Sequence, residues 1–264
     1  MEKQLLYNGH KVNYRISGSG PAMVLLHGFL ESMDVWDDFS KALSKTNRVV
    51  TIDLPGFGKT DLFSESHTME LMADTTEAVL KHENIKYCIL AGHSMGGYVS
   101  MAFAKKYNHR LKGLVLFHSH AGADDQQAKT NRNRTIEIVK KNHKDFIAGF
   151  IPLLFAEDNV KKFAGEIETL KKVSLNTTAQ GVTAALAGMR DREDHRALLK
   201  KLDIPVLFIV GKKDSRISMD KILPQIALPK HSEALILENV GHMGFLEARK
   251  QTLRTLAHFA IKWY

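Results

Sequence analysis

The chain is poor in the residues that would staple or anchor it. One cysteine among 264 residues leaves no internal disulfide, so the fold must stand on its core, and the lone thiol fits a reducing compartment. Cys88 lies within an apolar run and reads as a small buried hydrophobe. No apolar run approaches the ~20 residues of a membrane span. Residues 1–9 carry Glu2 and no apolar segment, so neither a secretory leader nor a membrane partner is expected, and the reading is cytoplasmic. Acidic residues are short, with 29 Asp and Glu against 37 Lys and Arg, for a net charge of +8. That excess raises the question of nucleic acid. Residues 121–200 hold 14 Lys and Arg against 11 Asp and Glu, close to their share of the whole, so the charge is spread and no nucleic-acid partner is expected. A phosphate loop is also missing. Gly58-Lys59-Thr60 resembles the end of one, but Asp53 stands where its first glycine is required. No internal repeat or low-complexity segment is present.

What the chain does have is an alternation of short apolar runs and helical patterns. Residues 4–7 and 11–17 read as strands joined by the hairpin turn Asn8-Gly9. Further strands are expected at 23–26, 49–52, 87–91, 111–117, 206–210 and 234–237, with helices at 69–80, 95–107 and 244–263 between and after them. This alternation predicts an α/β fold with a mostly parallel sheet covered on both faces. Residues 122–200 break the rule. They show helical segments at 131–150, 159–173 and 178–190, interrupted near Pro152 and Gly181, and no strand. The expected organisation is a core domain of residues 1–121 and 201–264 with an inserted helical lid, 122–200.

The densest signal is Gly92-His93-Ser94-Met95-Gly96, set between an apolar strand and a helical pattern. A serine on so tight a strand-to-helix turn sits in a strained backbone, and side chains two residues away would strike the crossing elements, so those positions need glycine. The helix that starts at Met95 points its free N–H groups and positive dipole end at any anion formed there. A serine hydroxyl needs a base, and the base needs an orienting carboxylate. In an open parallel sheet such groups gather past the carboxyl ends of strands. Asp214 is the first carboxylate after the strand at 206–210, with Asp220 a rival; Asp53 precedes Ser94 in the chain, and Asp203 precedes its strand. Of the histidines after Asp214, His231 precedes a strand and His258 lies within the last helix, which leaves His242, between Gly241 and Met243. His118 and His120 form a His-x-His pair with no third ligand near them in sequence, and no metal is expected.

The order serine, aspartate, histidine resembles that of the α/β-hydrolase superfamily. His27-Gly28-Phe29 resembles that family's oxyanion loop. Asp53-Leu54-Pro55-Gly56-Phe57-Gly58 is similar to its loop after the fourth strand, and residues 92–96 to its nucleophile elbow. The likeness spans nearly the whole chain. It is greatest to the small lidded serine hydrolases: 3-oxoadipate enol-lactonases, BioH-like carboxylesterases and cofactor-free haloperoxidase-type enzymes. Ala121-Gly122-Ala123-Asp124, with Lys129 and Arg132, and Gly188-Met189-Arg190 are similar to that group. Serine at position 94 departs from the haloalkane dehalogenases and epoxide hydrolases of the fold, which use aspartate there.

The resemblance implies an eight-stranded, mostly parallel sheet and oxyanion donors from the backbone N–H groups of Phe29 and Met95. It implies a serine hydrolase of carboxylic esters, lactones or thioesters, with no cofactor and a small-molecule substrate as partner. A C–C bond hydrolase or lyase on the same triad, and a non-catalytic receptor of the same fold, are the alternatives. Leu30, Phe150, Leu153, Leu154, Met189 and Met243 are the expected lining of an apolar substrate pocket. Monomer and homodimer both remain open.

Overall fold

The computed structural model describes all 264 residues, Met1–Tyr264. Eight strands form one sheet: β1 (Glu2–Tyr7), β2 (His10–Ser17), β3 (Ala22–Leu26), β4 (Arg48–Ile52), β5 (Cys88–His93), β6 (Leu111–Phe117), β7 (Val206–Gly211) and β8 (Ser232–Leu237). Their order across the sheet is β1-β2-β4-β3-β5-β6-β7-β8. β2 runs antiparallel to β1 and to β4; every other pairing is parallel. Burial follows position. β3, β5 and β7 are buried along their whole length, which explains their continuous apolar sequences, while the edge strands β1 and β8 alternate between exposed and half-buried residues up to the buried Leu237 that ends β8.

The helices are α1 (Asp37–Leu43), α2 (Met69–His82), α3 (Met95–Tyr107), α4 (Gln126–Phe150), α5 (Ala164–Ser174), α6 (Ala179–Arg190), α7 (Arg196–Lys201), α8 (Met219–Ile226), α9 (Gly244–Glu247) and α10 (Arg249–Trp263). Local chemistry starts several of them. The side chains of Thr68, Asp125 and Thr178 accept the N–H of Leu71, Ala128 and Gly181 respectively, capping α2, α4 and α6. α4 to α7 fill the connection between β6 and β7, which contains no strand. Ile147, Leu154, Val182 and Met189 of this connection belong to the same apolar cluster as the sheet. The expected division at 200/201 falls inside α7.

Three readings need correction. Gly181 does not break a helix but lies inside α6, where the backbone of Gly56 passes too close for a Cβ. The helix expected over 244–263 is two, split at Ala248, whose φ of −135° is not helical. There the Glu247 carboxylate turns back and accepts the N–H groups of Gly241 (3.0 Å) and Ala156 (3.0 Å), bonds that a straight helix would forgo. α8 escaped the periodicity because Pro224 sits inside it.

Below the carboxyl ends of the central strands lies an aromatic cluster. Trp36 is fully buried, with its ring 5.4 Å from Phe39, 5.7 Å from Phe117 and 5.5 Å from Phe245. Each such side chain contributes about 2–3 kcal/mol by burial, and together they form a rigid floor under the β5–α3 turn.

The interior also holds neutral histidines that act as backbone acceptors. His67 Nε2 accepts the N–H of Phe63 (3.1 Å), and His120 Nδ1 accepts the N–H of Gly122 (3.0 Å). Burial pushes both rings, and His118, down to about 4. In the unfolded chain such rings take a proton near 6.5. Between these values the unfolded state binds more protons, so stability falls as pH falls through the window. By pH 5 the loss is about 2 kcal/mol per ring. His93, raised by Glu31, works in the opposite sense. The thermal midpoint should therefore drop by at least about 5 °C between pH 7 and pH 5, and His120→Asn, which keeps an acceptor for Gly122, should flatten that slope. A midpoint constant across this range would show that these rings do not titrate as argued.

Candidate active site

Three loops at the carboxyl ends of β5, β7 and β8 carry the residues singled out from the sequence. Ser94 follows β5 directly, with φ 49° and ψ −113°. This is a conformation that an L-residue adopts only under constraint. The constraint is visible: the Ser94 N–H donates to the Phe117 carbonyl of β6 (2.9 Å). A Cβ on Gly92 would overlap the Gly96 carbonyl, and one on Gly96 would meet the Leu26 carbonyl at the end of β3. The glycines are needed because strand, turn and helix cross at backbone distance.

Asp214 lies three residues past the end of β7 and is buried. Its Oδ2 accepts from His242 Nδ1 (2.8 Å) and from His118 Nδ1 (3.1 Å). Its Oδ1 accepts the backbone N–H of Arg216 (2.8 Å) and of Ile217 (3.0 Å). Burial alone would raise this carboxyl, but the two imidazoles outweigh it and hold the group well below the usual carboxylate range. Asp220, the rival, begins the exposed face of α8, and no bond joins it to His242. Asp53 is committed elsewhere, accepting from Met33 N–H (2.8 Å), Asn13 Nδ2 (2.9 Å) and Lys59 N–H (3.0 Å) to shape its own loop.

His242 is fixed from both backbone ends. Its N–H donates to the Leu154 carbonyl (2.7 Å), and its own carbonyl accepts from His93 Nε2 (2.9 Å). His93 Nδ1 lies 3.0 Å from Glu31 Oε1, and Glu31 Oε2 accepts the N–H of Gly28 (2.6 Å). Burial opposes charge on both partners, yet their mutual attraction wins: Glu31 is lowered and His93 is raised. One buried ion pair thus ties the 27–31 loop, the Ser94 turn and the His242 loop together. His27 pins the first of these from the other side, donating from Nδ1 to the Gly28 carbonyl (2.8 Å) and accepting the Leu54 N–H at Nε2 (2.9 Å).

Ser94 and His242 line one cavity of about 390 Å³. Of the expected pocket residues, Phe150, Leu154 and Met189 line it, and so does Phe29, expected as an oxyanion donor. Leu30, Leu153 and Met243 do not. Leu30 and Met243 are wholly within the apolar core, and Leu153 is 56% exposed to solvent. Nor is the lining simply apolar, because Glu31, Asp124, Arg132, Arg216 and Lys221 contribute to it. Met95 is fully buried in the core beneath Ser94. The two rings of the His118-x-His120 stretch part company: one faces Asp214 and the other accepts from Gly122. The nearest metal-like grouping is His118, Asp214 and His242, whose donor atoms are already engaged with one another through Asp214 Oδ2.

Glu31, His118 and Glu247 went unremarked for this site. Only His118 carried a signal, as a histidine at the end of an apolar strand. Glu247 reaches Gly241, Met243 (3.2 Å) and Asn159 Nδ2 (2.7 Å) by folding back across a helix break, which no periodicity reveals.

Comparisons with known proteins agree with this architecture. The family described as alpha/beta hydrolase fold matches residues 21–249. A dihydrolipoyllysine-residue acetyltransferase component of an acetoin cleaving system from Pseudomonas putida is 30% identical over 92% of this chain, and the chain spans 64% of that protein's length. A pimeloyl-[acyl-carrier protein] methyl ester esterase from Aeromonas hydrophila is 26% identical, over 92% of this chain and 96% of its own. Among solved structures, a thermophilic esterase from Thermogutta terrifontis superposes with a TM-score of 0.93 at 30% identity, covering 99% of this chain and 98% of that one. With its strand order, its strained serine turn and the family match over most of its length, the chain belongs to the α/β-hydrolase family.

Proposed function

We propose that this hydrolase cleaves carboxylic esters, lactones or thioesters through an acyl-enzyme on Ser94. The observation that carries the reading is the convergence of three loops. Ser94, on a strained turn, shares a cavity with His242, whose far nitrogen bonds the buried carboxylate of Asp214. With Nδ1–H held by Asp214, Nε2 is left as the acceptor for the serine proton. Ser94 Oγ attacks the carbonyl carbon, and the proton passes to His242. The leaving alcohol or thiol takes that proton as the acyl-enzyme forms. Water then enters, His242 removes its proton, and the acid departs with Ser94 restored. Phe29 and Met95 backbone N–H groups are assigned to the oxyanion, one from the 27–31 loop and one from the start of α3. The imidazolium formed in each step is stabilised by the carboxylate of Asp214, whose charge four N–H bonds secure. The relatives named above as esterases support an ester as the substrate. An alternative of simple ligand binding would leave the strain at Ser94 without a purpose.

The helical connection 122–200 is assigned as a lid. Its base touches the chemistry, since the Leu154 carbonyl holds the His242 N–H and the Ala156 N–H is held by Glu247. Opening of the outer helices would admit substrate, and closure would exclude water.

Labelling by a fluorophosphonate tests the assignment directly. Ser94 should be modified, and Ser94→Ala should fold normally, escape labelling and lose esterase turnover by on the order of 10⁴ to 10⁶. Retention of more than about a tenth of the turnover would remove Ser94 from the mechanism. Asp214→Asn should lower kcat/KM by on the order of 10³ to 10⁴, whereas Asp220→Asn should leave the chemical step nearly intact; the reverse pattern would move the acid to α8. Limited proteolysis should cut first within 122–200. First cuts inside β6 or β7 with that connection intact would refute the lid.

A further inference from the structure

The charges that line the cavity do not balance. Two acids reach it, and both are already neutralised. Glu31 is paired with His93, and Asp124 is held between Arg132 Nε (2.7 Å) and Arg192 Nη1 (2.6 Å). Both carboxyls lie below their ordinary range despite burial, so neither has charge to lend elsewhere.

Two further cations line the same cavity. Arg216 has no carboxylate within 4.0 Å; its Nε donates to Ser215 Oγ (3.1 Å), which leaves the Nη edge of the guanidinium without a protein anion. The guanidinium carbon lies over the Phe150 ring, 5.2 Å from its centre, beside the edge-to-face contact of Phe150 with Phe29. The backbone of Arg216 is pinned, because its N–H donates to Asp214 Oδ1 (2.8 Å). The side chain therefore starts one hydrogen bond from the orienting carboxylate. Lys221 meets Asp125 only at 3.9 Å and is 58% exposed. Both residues are exposed while lining the cavity, which places them at its opening. Burial disfavours the Arg216 charge and Asp214 supports it through space, but the two Asp214 oxygens are taken up by His118, His242 and the backbone and make no ion pair with either cation.

Resting on the ester-hydrolase reading above, we propose that the substrate carries a carboxylate remote from its scissile carbonyl, and that Arg216, aided by Lys221, binds it at the cavity mouth. A planar guanidinium over an aromatic ring, with no ion pair of its own, has a forked N–H edge that suits a planar carboxylate. The carboxylate held at the mouth would leave the acyl chain against Phe29 and Phe150, with the ester carbonyl over Ser94. Half-esters of dicarboxylic acids and lactones bearing a free carboxylate have this chemistry. Arg216 is on this reading a specificity residue, apart from the proton transfers.

The test uses the whole protein and matched substrates. Monomethyl esters of linear dicarboxylic acids are compared with methyl esters of monocarboxylic acids of the same chain length. At one or more lengths the charged ester should have kcat/KM about tenfold or more above its neutral partner at low salt, and the advantage should shrink as ionic strength rises. Arg216→Gln should reduce that charged-to-neutral ratio by about tenfold, chiefly through KM of the charged ester, and Lys221→Gln should reduce it less. Free dicarboxylates should compete with substrate in the wild type and more weakly in Arg216→Gln. Equal or better turnover of the neutral ester at every length would overturn the proposal, as would a ratio unmoved in Arg216→Gln. Fluorophosphonate labelling separates the two levels of inference. A protein that labels at Ser94 but shows no charged preference loses only the carboxylate site, whereas one that neither labels nor turns over any ester loses the hydrolase mechanism and this site with it.

Discussion

The arrangement around Asp214 is the constraint on which the rest of the site depends. A lone carboxylate could not stay ionised at this depth, because burial raises its pKa and favours the neutral acid. Four N–H donors reverse that balance, two from imidazoles and two from the backbone of the following turn. A hydrogen bond to a charged group contributes about 1.5–3 kcal/mol, so the set is large enough to offset the desolvation of one charge. His118 is neutral and fully buried, and its second nitrogen has no partner in the protein. The ring is tolerated there because its first nitrogen is needed on Asp214. Its own backbone, at φ 46°, turns off the end of β6 to make that contact.

A second device holds the loops against one another. Glu31 and His93 are buried as an ion pair between the 27–31 loop and the Ser94 turn, and the same imidazole reaches the His242 carbonyl. Buried pairs of this kind add little net stability, but loss of one partner costs about 3–5 kcal/mol because the other is stranded. Their contribution is to registration. Gly28 must lack a Cβ because His93 and Glu31 fill that space. Glu247 does for the outer side what Glu31 does for the inner, joining the His242 loop to the base of the helical connection. The proposed base is therefore positioned partly by the segment proposed to cover it.

Charge inside the molecule is divided in two ways. In the interior Glu31, Asp53 and Asp214 have each found a cation or N–H donors, as low dielectric demands. At the cavity opening, where solvent screens, Arg216 and Lys221 stand without a close anion. Burial still disfavours the Arg216 charge, and a charged ligand can supply the missing partner. The overall +8 of the chain gave no hint of this, because surface lysines dominate the sum.

The sequence by itself determined the sheet, the serine turn and the order in which the three principal residues occur. Those features are local: a parallel strand buried on both faces must be apolar throughout, and a turn this tight admits only glycine two residues to either side of Ser94. The same locality explains why Asp214 and His242 were legible, since each lies just past an apolar run. Tertiary structure alone decided what surrounds them. His118 and His242 are far apart in the chain, yet they meet on one carboxylate oxygen because β6, β7 and β8 are neighbours in the sheet. Leu30, Leu153 and Met243 had the right character for a substrate wall, but an apolar residue in sequence does not say which way it faces. Nothing in the sequence singled out Arg216, because its neighbour at the cavity wall, Phe150, comes from the far end of α4. Periodicity records which elements form; the identity of the cavity wall is set by loops whose contacts span the chain, and those contacts exist only once the sheet has closed.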